Sequence, residues 1–300
     1  MFDLSIIIVT YNPGTILYDC LHSLINGVSD LSTEVIVIDN ASDDGVVPLA
    51  AERFPHVKFI FNKDNKGFAG GNNQGLAIAS GRYLLLLNPD VIVKPASLKI
   101  LVDFLRANLS VGIVGPRTFD GNGELSLTAN TLYTPLTILW QYLGFDRVFS
   151  YHVYGWYRHK SLEAIEPFEV AWVQGCCLMM RREVYEQISG LDEVFFLFAE
   201  EPDFCDRASK AGWKSYFLPS AEIIHHESNS VSRYPERKIR NYHISPLHYF
   251  RKRGRRRQVW VLKAGFAAEL LLKICWQLLR RNKSGRLFIY RNVLWEVLQY

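Results

Sequence analysis

The sequence has little of what marks disulfide-bonded, zinc-binding or exported proteins. Its five cysteines are odd in number, and none stands in a CxxC or Cys/His spacing, so neither a disulfide framework nor a zinc site is indicated. Reduced thiols in the cytoplasm are the simplest interpretation. The chain opens directly into apolar, strand-like sequence with no basic region before it, so we do not expect a cleaved signal peptide.

Two common nucleotide-binding signatures are also missing. No GxGxxG motif follows the first predicted strand, and no GxxxxGK[ST] motif occurs, which argues against a dehydrogenase-type dinucleotide fold and against a P-loop. A nucleotidyltransferase would need a basic loop for a triphosphate near the first strand, where the sequence VTYNPG at 9–14 offers none.

The chain does contain enough apolar sequence for a large core, 49% of its 300 residues, and its charge is unevenly distributed. Residues 251–300 carry 13 Lys and Arg side chains against two acids, a net charge of +11. Residues 1–250 carry 21 basic and 28 acidic side chains, a net charge of −7. The last fifth of the chain is therefore expected to face something anionic.

Short apolar runs alternate with helical patterns through the first hundred residues. The runs at 4–11, 34–38 and 83–87 are typical of strands buried on both faces. Apolar residues at helical spacing follow the first run up to about Asn26. Further predicted elements are a helix near 44–54, a strand at 57–61, a helix at 95–108 and a strand at 111–114. This β-α-β order predicts a mainly parallel sheet flanked by helices.

Polar residues stand where the predicted strands end. Thr10, Asp39 and Asp90 each come at the end of such a strand, so all three should lie along one edge of the sheet, where open α/β sheets bind ligands. The pair Asn88-Pro89 stops the last strand, because proline has no amide donor. A carboxylate at that edge suits a divalent cation that carries phosphate oxygens. The structural alternatives are an Asx turn for Asp90 and a helix N-cap for Asp39.

Residues 65–81 form a glycine- and amide-rich segment, NKGFAGGNNQGLAIASG. Glycines that open a helix let backbone amides approach phosphate or sugar closely. Close packing of the helix on the sheet is the alternative explanation for these glycines.

Four motifs occur in order along the first 90 residues: VTYNP at 9–13, VIDNAS at 37–42, NKGFAGGNNQG at 65–75 and LLLLNPDV at 84–91. Together they resemble inverting glycosyltransferases of the GT-A fold, and in particular the rhamnosyltransferase-like branch of the large bacterial family 2. The likeness returns from about 170 to 250. It implies a GT-A-like α/β fold with a mixed, mainly parallel sheet flanked by helices.

The resemblance implies roles for individual residues on the donor side. Asp90 corresponds to the last acid of the family's Asp-x-Asp motif, and Asn88, a weaker cation ligand, replaces the first acid. The residues expected to hold the base and ribose are Thr10, Tyr11, Asn12, Asp39 and Asn40. Those expected to line the sugar-nucleotide side are Asn65, Lys66, Gly67 and Asn72.

The second half of the chain carries an acidic segment next to an apolar one. Glu200 and Glu201 closely follow the apolar residues 195–198, and burial beside like charges raises the pKa of a carboxyl group, which makes a better base at neutral pH. The structural alternative is a solvated helix N-terminus with an Asp203–Arg207 pair. By the resemblance, Glu201 is the catalytic base, at a position where many relatives carry aspartate.

The resemblance also places acceptor and metal contacts in this half. His225, with His226 as second choice, is expected to contact a metal ion or the diphosphate, and imidazole suits Mn²⁺ better than Mg²⁺. A core histidine is the structural alternative. Aromatic residues within 119–160 either stack on acceptor sugars or fill the core. The expected acceptor contacts are Trp172, Gln174, Gly175 and Glu200.

Residues 251–300 are predicted to form a basic, amphipathic helical segment that lies on a membrane surface. Charges within 259–279 disfavour a membrane span, since each costs roughly 2.5–3.5 kcal/mol near the bilayer centre. A helix packed on the catalytic domain and an RNA-binding tail are the alternatives; nucleic acid is disfavoured because no binding module accompanies the charge. On a helical wheel the polar positions fall within about a third of the circle, namely Lys263, Glu269, Lys273, Gln277, Arg280 and Arg281.

The sequence thus predicts an inverting glycosyltransferase with a catalytic domain at 1–250, divided into a nucleotide-sugar half at 1–115 and an acceptor half at 116–250, followed by the segment at 251–300. The predicted donor is dTDP-rhamnose, with a UDP-hexose as alternative, used with Mn²⁺ or Mg²⁺. The predicted acceptor is a glycan on a lipid carrier, in cell-surface polysaccharide synthesis at the inner face of the membrane. A homo-oligomer is left open, and a non-catalytic carbohydrate-binding or scaffold protein is the alternative of a different class.

Overall fold

A computed structural model describes residues 2–27, 31–126, 128–131, 133–142, 163–226, 234–279 and 285–300. The elements up to residue 120 are β1 (Leu4–Thr10), α1 (Ile16–Gly27), β2 (Thr33–Asp39), α2 (Val46–Arg53), β3 (Lys58–Phe61), α3 (Gly67–Ile78), β4 (Tyr83–Leu87), β5 (Val91–Val93), α4 (Ser97–Ala107) and β6 (Val111–Asp120). Those that follow are β7 (Leu125–Ser126), β8 (Ala129–Asn130), α5 (Pro135–Tyr142), β9 (Phe168–Val170), β10 (Trp172–Val173), β11 (Cys177–Arg181), α6 (Arg182–Ile188), α7 (Glu200–Lys210), β12 (Lys214–His225), α8 (Pro235–Lys252), α9 (Arg256–Leu279) and α10 (Arg286–Gln299).

A mixed sheet forms the centre of the described part of the chain. Its strand order is β3-β2-β1-β4-β11-β6-β12-β5, with β7 paired to β6 and β9 paired to β12. The strands β1 to β4 are mutually parallel, as the β-α-β order predicts. β11 runs antiparallel to both β4 and β6. The carboxyl ends of the parallel strands and the amino end of β11 therefore meet at one edge of the sheet.

The sheet is buried because helices cover both of its faces. All five residues of β4 are at most 1% exposed, which explains the uninterrupted apolar run there. Alternate side chains point to opposite faces. Leu85 and Leu87 join the core cluster on the side of α1 and α4, whereas Leu84 and Leu86 join the cluster on the side of α3.

Two glycines of α3 are explained by this packing. A Cβ atom on Gly71 would lie 2.6 Å from Cγ1 of Val9, and one on Gly75 would lie 2.4 Å from Cγ2 of Ile7. The packing alternative raised from the sequence is therefore correct at these two positions: α3 approaches β1 too closely for any side chain.

The helices α5, α8, α9 and α10 form a helical cluster with its own apolar core, which includes Ile138, Leu247, Phe250, Phe266 and Val293. Phe195 and Ala199, from the segment before α7, belong to the same core. Tyr142 stacks on Tyr242 at 4.2 Å between ring centroids, so this aromatic residue fills core. The aromatic residues at 151–157 lie outside the described residues.

One expectation for α9 is wrong. The helical wheel placed Glu269 on a polar arc facing solvent or headgroups, but Glu269 is only 4% exposed. Its carboxylate pairs with His243 of α8 at 3.1 Å and with Lys273. The wheel shows which residues share a face, but the face that turns inward is decided by the partner on α8. Arg280 and Arg281 lie outside the described residues.

Candidate active site

The carboxyl ends of β1 and β2 lie side by side. Thr10 is opposite Asp39 in the parallel register, and both residues are buried. The backbone amide of Asn40 donates to the Thr10 carbonyl at 2.8 Å. Within the described residues the Thr10 hydroxyl has no hydrogen-bond partner, so a ligand at this edge can satisfy it.

Asp39 closes a turn and does not cap a helix. Its Oδ1 accepts hydrogen bonds from the Ser42 hydroxyl at 2.5 Å and from the Ser42 amide at 3.1 Å. Helix α2 begins later, at Val46, and its N-cap is Gly45, so the N-cap alternative for Asp39 is wrong. Burial raises the pKa of Asp39 above its ordinary value, and the Ser42 hydrogen bonds oppose that rise.

The loop after β1 contacts the start of α8. Asn12 has a positive φ of 49°, its Oδ1 accepts from the Asp43 amide at 2.8 Å, and its Nδ2 donates to the Tyr234 hydroxyl at 3.0 Å. The Tyr11 ring lies 5.4 Å from the Tyr234 ring, and the Arg237 guanidinium lies 6.0 Å from the Tyr11 ring. Sequence reasoning missed Tyr234 and Arg237, because Tyr234 is 222 positions from Asn12 and no local pattern reports the contact.

Side-chain amides hold the start of α3. Asn40 donates through Nδ2 to the Gly67 carbonyl at 2.9 Å, and its Oδ1 accepts from Asn62 at 2.9 Å. Asn65 accepts from the Gly67 amide at 2.9 Å. These two amides are thus engaged within the protein, whereas Lys66 has an exposed side chain that lies 3.5 Å from Asp64.

The neighbouring amides of α3 face different ways. Asn72 is buried and donates to the Phe68 carbonyl of its own helix at 2.9 Å. Asn73 instead makes reciprocal 2.8 Å hydrogen bonds with the backbone of Leu191 and a 2.9 Å bond to Glu193. Asn73 therefore anchors the turn that leads to α7. The run of three amides at 72–74 indicated a polar contact of α3, but the sequence did not show which of the three side chains binds the turn before α7.

Asn88, Asp90 and His225 come together because β5 pairs antiparallel with the end of β12, where His225 is opposite Val91. The Nε2 atom of His225 lies 3.2 Å from Oδ1 of Asp90 and 3.4 Å from Nδ2 of Asn88. The side chain of His226 is exposed, and its backbone amide donates to the Asp90 carbonyl at 3.0 Å. The geometry therefore favours His225 over His226 as a metal contact.

The pair of Asp90 and His225 fits a divalent cation that keeps several open positions. Adjacent ligand atoms about 2.1 Å from an octahedral ion lie about 3 Å apart, close to the 3.2 Å separation of these two atoms. Among the described residues there is no group of three or more His, Cys, Asp and Glu side chains that could hold a metal. A cation here would take its other ligands from water and diphosphate oxygens, as Mg²⁺ and Mn²⁺ do with nucleotides.

Glu201 lies in the first turn of α7. Its Oε1 accepts a hydrogen bond from the Gly175 backbone amide at 3.0 Å, and the residue remains partly exposed. Burial of the carboxyl group raises the pKa of Glu201, and the hydrogen bond from Gly175 opposes that rise. A carboxylate that is reachable and more basic than usual is suited to take a proton.

The turn before α7 places two successive non-glycine residues in the left-handed region, Phe198 with φ 67° and Ala199 with φ 71°. Such conformations cost on the order of 1 kcal/mol or more each and persist only where the surroundings hold them. One restraint is the Phe196 carbonyl, which accepts from the Phe68 amide at 2.9 Å. Stored backbone strain thus marks the segment that aims the two glutamates.

Glu200 is placed differently from Glu201. It is 2% exposed, and its Oε2 has no hydrogen-bond partner within the part of the chain that the structure describes. Burial, and then the charge of Glu201, raise the pKa of Glu200 well above its ordinary value. The acceptor contact expected for Glu200 stays a prediction. Trp172 and Gln174 are partly exposed and lie just before the turn at Gly175.

Asp203 forms the ion pair with Arg207 that the structural alternative predicted, but at a buried and not a solvated position. It is fully buried, and its carboxylate lies 2.7 Å from Arg207 and 3.0 Å from Arg253. These cations satisfy a buried charge that would otherwise be costly. The first turn of α7 therefore combines one ion-paired acid, one buried acid and one reachable acid, Glu201.

Glu201 and the end of β4 are connected through two adjacent residues. The Gly175 amide binds Glu201, and the Cys176 carbonyl accepts from the Asn88 amide at 3.0 Å. Burial, and then the charges of Asp90 and Glu201, raise the pKa of the Cys176 thiol to about 12. The charges of both carboxylates thus act on the same thiol, although 111 positions separate them in the chain.

A sheet edge with two side chains that fit a divalent cation, linked through residues 175 and 176 to a basic carboxylate, suits transfer of a sugar from a nucleoside diphosphate. The chain belongs to Glycosyl transferase family 2, whose profile matches residues 5–189, and is a nucleotide-sugar glycosyltransferase. The family resemblance and the enzyme class expected from the sequence are thereby confirmed, and the non-catalytic alternative is not supported.

The chain is similar over nearly its whole length to a rhamnosyltransferase. It is 29% identical over 307 residues to the N-acetylglucosaminyl-diphospho-decaprenol L-rhamnosyltransferase of Mycobacterium tuberculosis, a match that covers 95% of this chain and 96% of that protein. It is 27% identical over 236 residues to the low-salt glycan biosynthesis hexosyltransferase Agl10 of Haloferax volcanii, covering 77% of this chain and 70% of that protein.

Solved structures confirm the GT-A-like fold. The structure of S. aureus TarS 1–349 matches with a TM-score of 0.53 and 17% identity, over 99% of this chain and 70% of that one. The structure of GalNAc-T7 with UDP, GalNAc and Mn²⁺ matches with a TM-score of 0.56 and 17% identity, over 75% of this chain and 43% of that one. At this identity the likeness concerns the fold alone.

Proposed function

We propose that this glycosyltransferase transfers L-rhamnose from dTDP-rhamnose to N-acetylglucosamine carried on a polyprenyl diphosphate, with inversion of configuration. The observation that carries the proposal is the near full-length similarity to the mycobacterial L-rhamnosyltransferase, whose name gives a lipid-linked N-acetylglucosamine as its acceptor. A UDP-hexose is the second candidate donor, since the chain is also similar to a hexosyltransferase from an archaeon. Such a reaction belongs to cell-surface polysaccharide synthesis at the inner face of the membrane.

Glu201 is the proposed base. The acceptor hydroxyl oxygen forms a bond to the anomeric carbon while the bond from that carbon to the diphosphate oxygen breaks, and the hydroxyl proton passes to the Glu201 carboxylate. The raised pKa of Glu201 favours this transfer near neutral pH. Attack and departure occur on opposite sides of the sugar, so one displacement inverts the configuration and needs no covalent enzyme intermediate.

The donor side is assigned to the strand ends. Thr10, whose hydroxyl has no hydrogen-bond partner within the described residues, and Asp39 stand side by side at these strand ends and would hold the nucleoside, with the Tyr11 ring as a face for the base. Asp90 and His225 would hold Mn²⁺ or Mg²⁺, and such a cation, when bound, offsets the charge that develops on the leaving nucleoside diphosphate.

The acceptor side is assigned to the turn before β11. Trp172 and Gln174 are partly exposed there, and Gly175 binds Glu201 directly. A sugar that rests on this turn would bring its hydroxyl to the carboxylate that the same turn orients.

The test is a transfer assay with the purified chain, a synthetic polyprenyl-diphosphate-linked N-acetylglucosamine, Mn²⁺ and a panel of dTDP- and UDP-sugars. Rhamnose transfer from dTDP-rhamnose, with an inverted anomeric centre by NMR, supports the proposal. Transfer from a UDP-hexose alone would favour the second candidate. Failure of every donor with this acceptor, alongside transfer to another glycan, would overturn the acceptor assignment.

A further inference from the structure

The helix α9 turns its most apolar side away from the protein. Large side chains that are 51–80% exposed form this outward face of α9. Because a helix has about 3.6 residues per turn, they fall within a sector of about 160°. The members of the outward face that matter here are Trp260, Val261, Leu271, Leu272, Trp276 and Leu279.

The polar side of α9 faces the protein. Glu269 is buried against His243, and the ammonium group of Lys263 donates to the Leu298 carbonyl of α10 at 3.0 Å. A helix on the surface of a water-soluble domain has the reverse arrangement, with its apolar stripe inward. In α9 the buried apolar residues, which include Phe266 and Leu270, form one apolar side, and the outward face forms a second.

The neighbouring helix α10 also carries exposed apolar side chains. Phe288, Trp295 and Leu298 are 53–66% exposed at helical spacing. The contacts of Lys263 with Leu298 and of Lys273 with the Tyr290 ring show that α9 and α10 pack antiparallel. Exposed apolar side chains in such number on two packed helices mark an interaction site.

We propose that the outward face of α9, with the exposed stripe of α10, docks the chain on the surface of an anionic lipid bilayer. Charge identifies the occupant: residues 251–300 carry a net charge of +11, and Arg255, Arg256 and Arg257 are exposed where α9 begins. Anionic headgroups attract such charges while tryptophan and leucine side chains enter the interface. A second copy fits less well, because a symmetric contact would bring these like charges together.

The docked helix lies along the bilayer and does not cross it. No helix within the described ranges is apolar enough over sufficient length to span a membrane. The outward face runs from Trp260 to Leu279, about 30 Å at 1.5 Å per residue, which suits a helix lying in the plane of the headgroups.

Ion pairs connect the end of α8, next to the docking helix, to α7. Just before α9, Lys252 lies 3.4 Å from Asp203, and Arg253 lies 3.0 Å from Asp203 and 2.7 Å from Asp206. Both acids belong to α7, whose first turn carries Glu201. Docking would therefore set the height of the base above the bilayer; this consequence rests on the proposed lipid-linked acceptor, whereas docking itself does not.

The test is co-sedimentation of the full chain with phosphatidylcholine vesicles, with and without phosphatidylglycerol. The informative variant is the double substitution Leu272→Gln/Leu279→Gln, which changes side chains 66% and 80% exposed on the outward face, and the matched control is Leu49→Gln/Leu109→Gln, which changes side chains 57% and 75% exposed outside the helical cluster. We expect binding to need phosphatidylglycerol, the informative variant to bind about tenfold or more weakly, and the control to bind as the unmodified chain does.

Absence of binding to anionic vesicles at physiological salt would overturn the proposal, as would normal binding by the informative variant. So would a change from dimer to monomer in that variant with vesicle binding retained, which would identify the face as a contact between copies. Transfer to a water-soluble, short-chain acceptor should be unchanged in the informative variant. A chain that binds vesicles but transfers no sugar would refute the proposed function and leave the docking surface intact.

Discussion

Gly175 and Glu201 make a contact that leaves no room for a side chain between them. The Gly175 amide donates to Oε1 of Glu201 at 3.0 Å, and a Cβ atom on Gly175 would lie 2.7 Å from that same oxygen. Since the backbone of the next residue, Cys176, bonds to Asn88 at the end of β4, this contact positions the carboxylate relative to the proposed cation site.

The substitution Gly175→Ala should therefore displace the base without removing it. A misplacement of about 1 Å costs about 100-fold in rate, so we expect kcat to fall by about that factor while donor affinity stays within about twofold. Steady-state kinetics and calorimetric titration with the nucleotide measure the two quantities. Gly285→Ala is the control, because a Cβ there meets nothing within 4 Å. Full activity of Gly175→Ala would show that this glycine does not position Glu201.

Gly67 should be the least replaceable glycine of α3, because it has a φ of 73° and a Cβ there would lie 2.5 Å from the Phe196 carbonyl oxygen. Gly45 has the same φ and open space around it. We expect Gly45→Ala to lower the free energy of unfolding by about 1 kcal/mol, the cost of the left-handed conformation, and Gly67→Ala to lower it by about 1–3 kcal/mol more. Urea denaturation compares them; equal losses would contradict the steric account.

Glu200 should make the protein less stable as the pH rises. The folded-state pKa of Glu200 is raised by burial, so the folded chain holds a proton at pH values where the unfolded chain has released it. The free energy of unfolding then falls as pH rises through that interval. Glu200→Gln should flatten this slope and raise Tm by about 2 °C or more at about pH 8, with a smaller effect at about pH 5. If Glu200→Gln left the pH dependence of the free energy of unfolding unchanged, Glu200 would not be a buried carboxyl group with a raised pKa.

The two adjacent histidines should behave differently. Asp90→Asn and His225→Ala should weaken Mn²⁺ binding in the presence of the nucleotide by about 10- to 100-fold, a loss typical for groups that hold or orient a metal ion. His226→Ala should leave Mn²⁺ binding unchanged, because its side chain is exposed and only its backbone contacts Asp90. Electron paramagnetic resonance of Mn²⁺ measures the binding. A loss of Mn²⁺ binding in His226→Ala but not in His225→Ala would place the cation at His226 instead.

Local patterns predicted the first strands of the sheet and the polar residues at their ends, because burial and strand termination are encoded within a few residues. The run YLLLL followed by Asn88-Pro89-Asp90 required a buried strand that ends in a carboxylate. That His225 faces Asp90 depends on the pairing of β5 with β12, and that Tyr234 contacts Asn12 depends on where α8 begins. Such long-range contacts leave no periodic trace in the sequence.

The orientation of helix α9 likewise depends on long-range contacts that local sequence patterns do not show. The helical period of 259–279 was correct, but the inward side of α9 was not predictable from the period. His243 on α8 buries Glu269 and so turns the second apolar side outward. The contacts of α9 with its neighbours, including this buried pair and the core residues Phe266 and Leu270, thus determine which surface the tail presents.

The most direct test of the account is to compare Glu201→Gln with the unmodified chain for nucleotide binding in Mn²⁺ and for single-turnover sugar transfer. Gln keeps the size of the side chain but cannot take a proton at neutral pH. We predict nucleotide affinity within about twofold of the unmodified chain and a transfer rate lower by about 100- to 10,000-fold. Transfer at an undiminished rate, or loss of nucleotide binding together with transfer, would contradict Glu201 as the base.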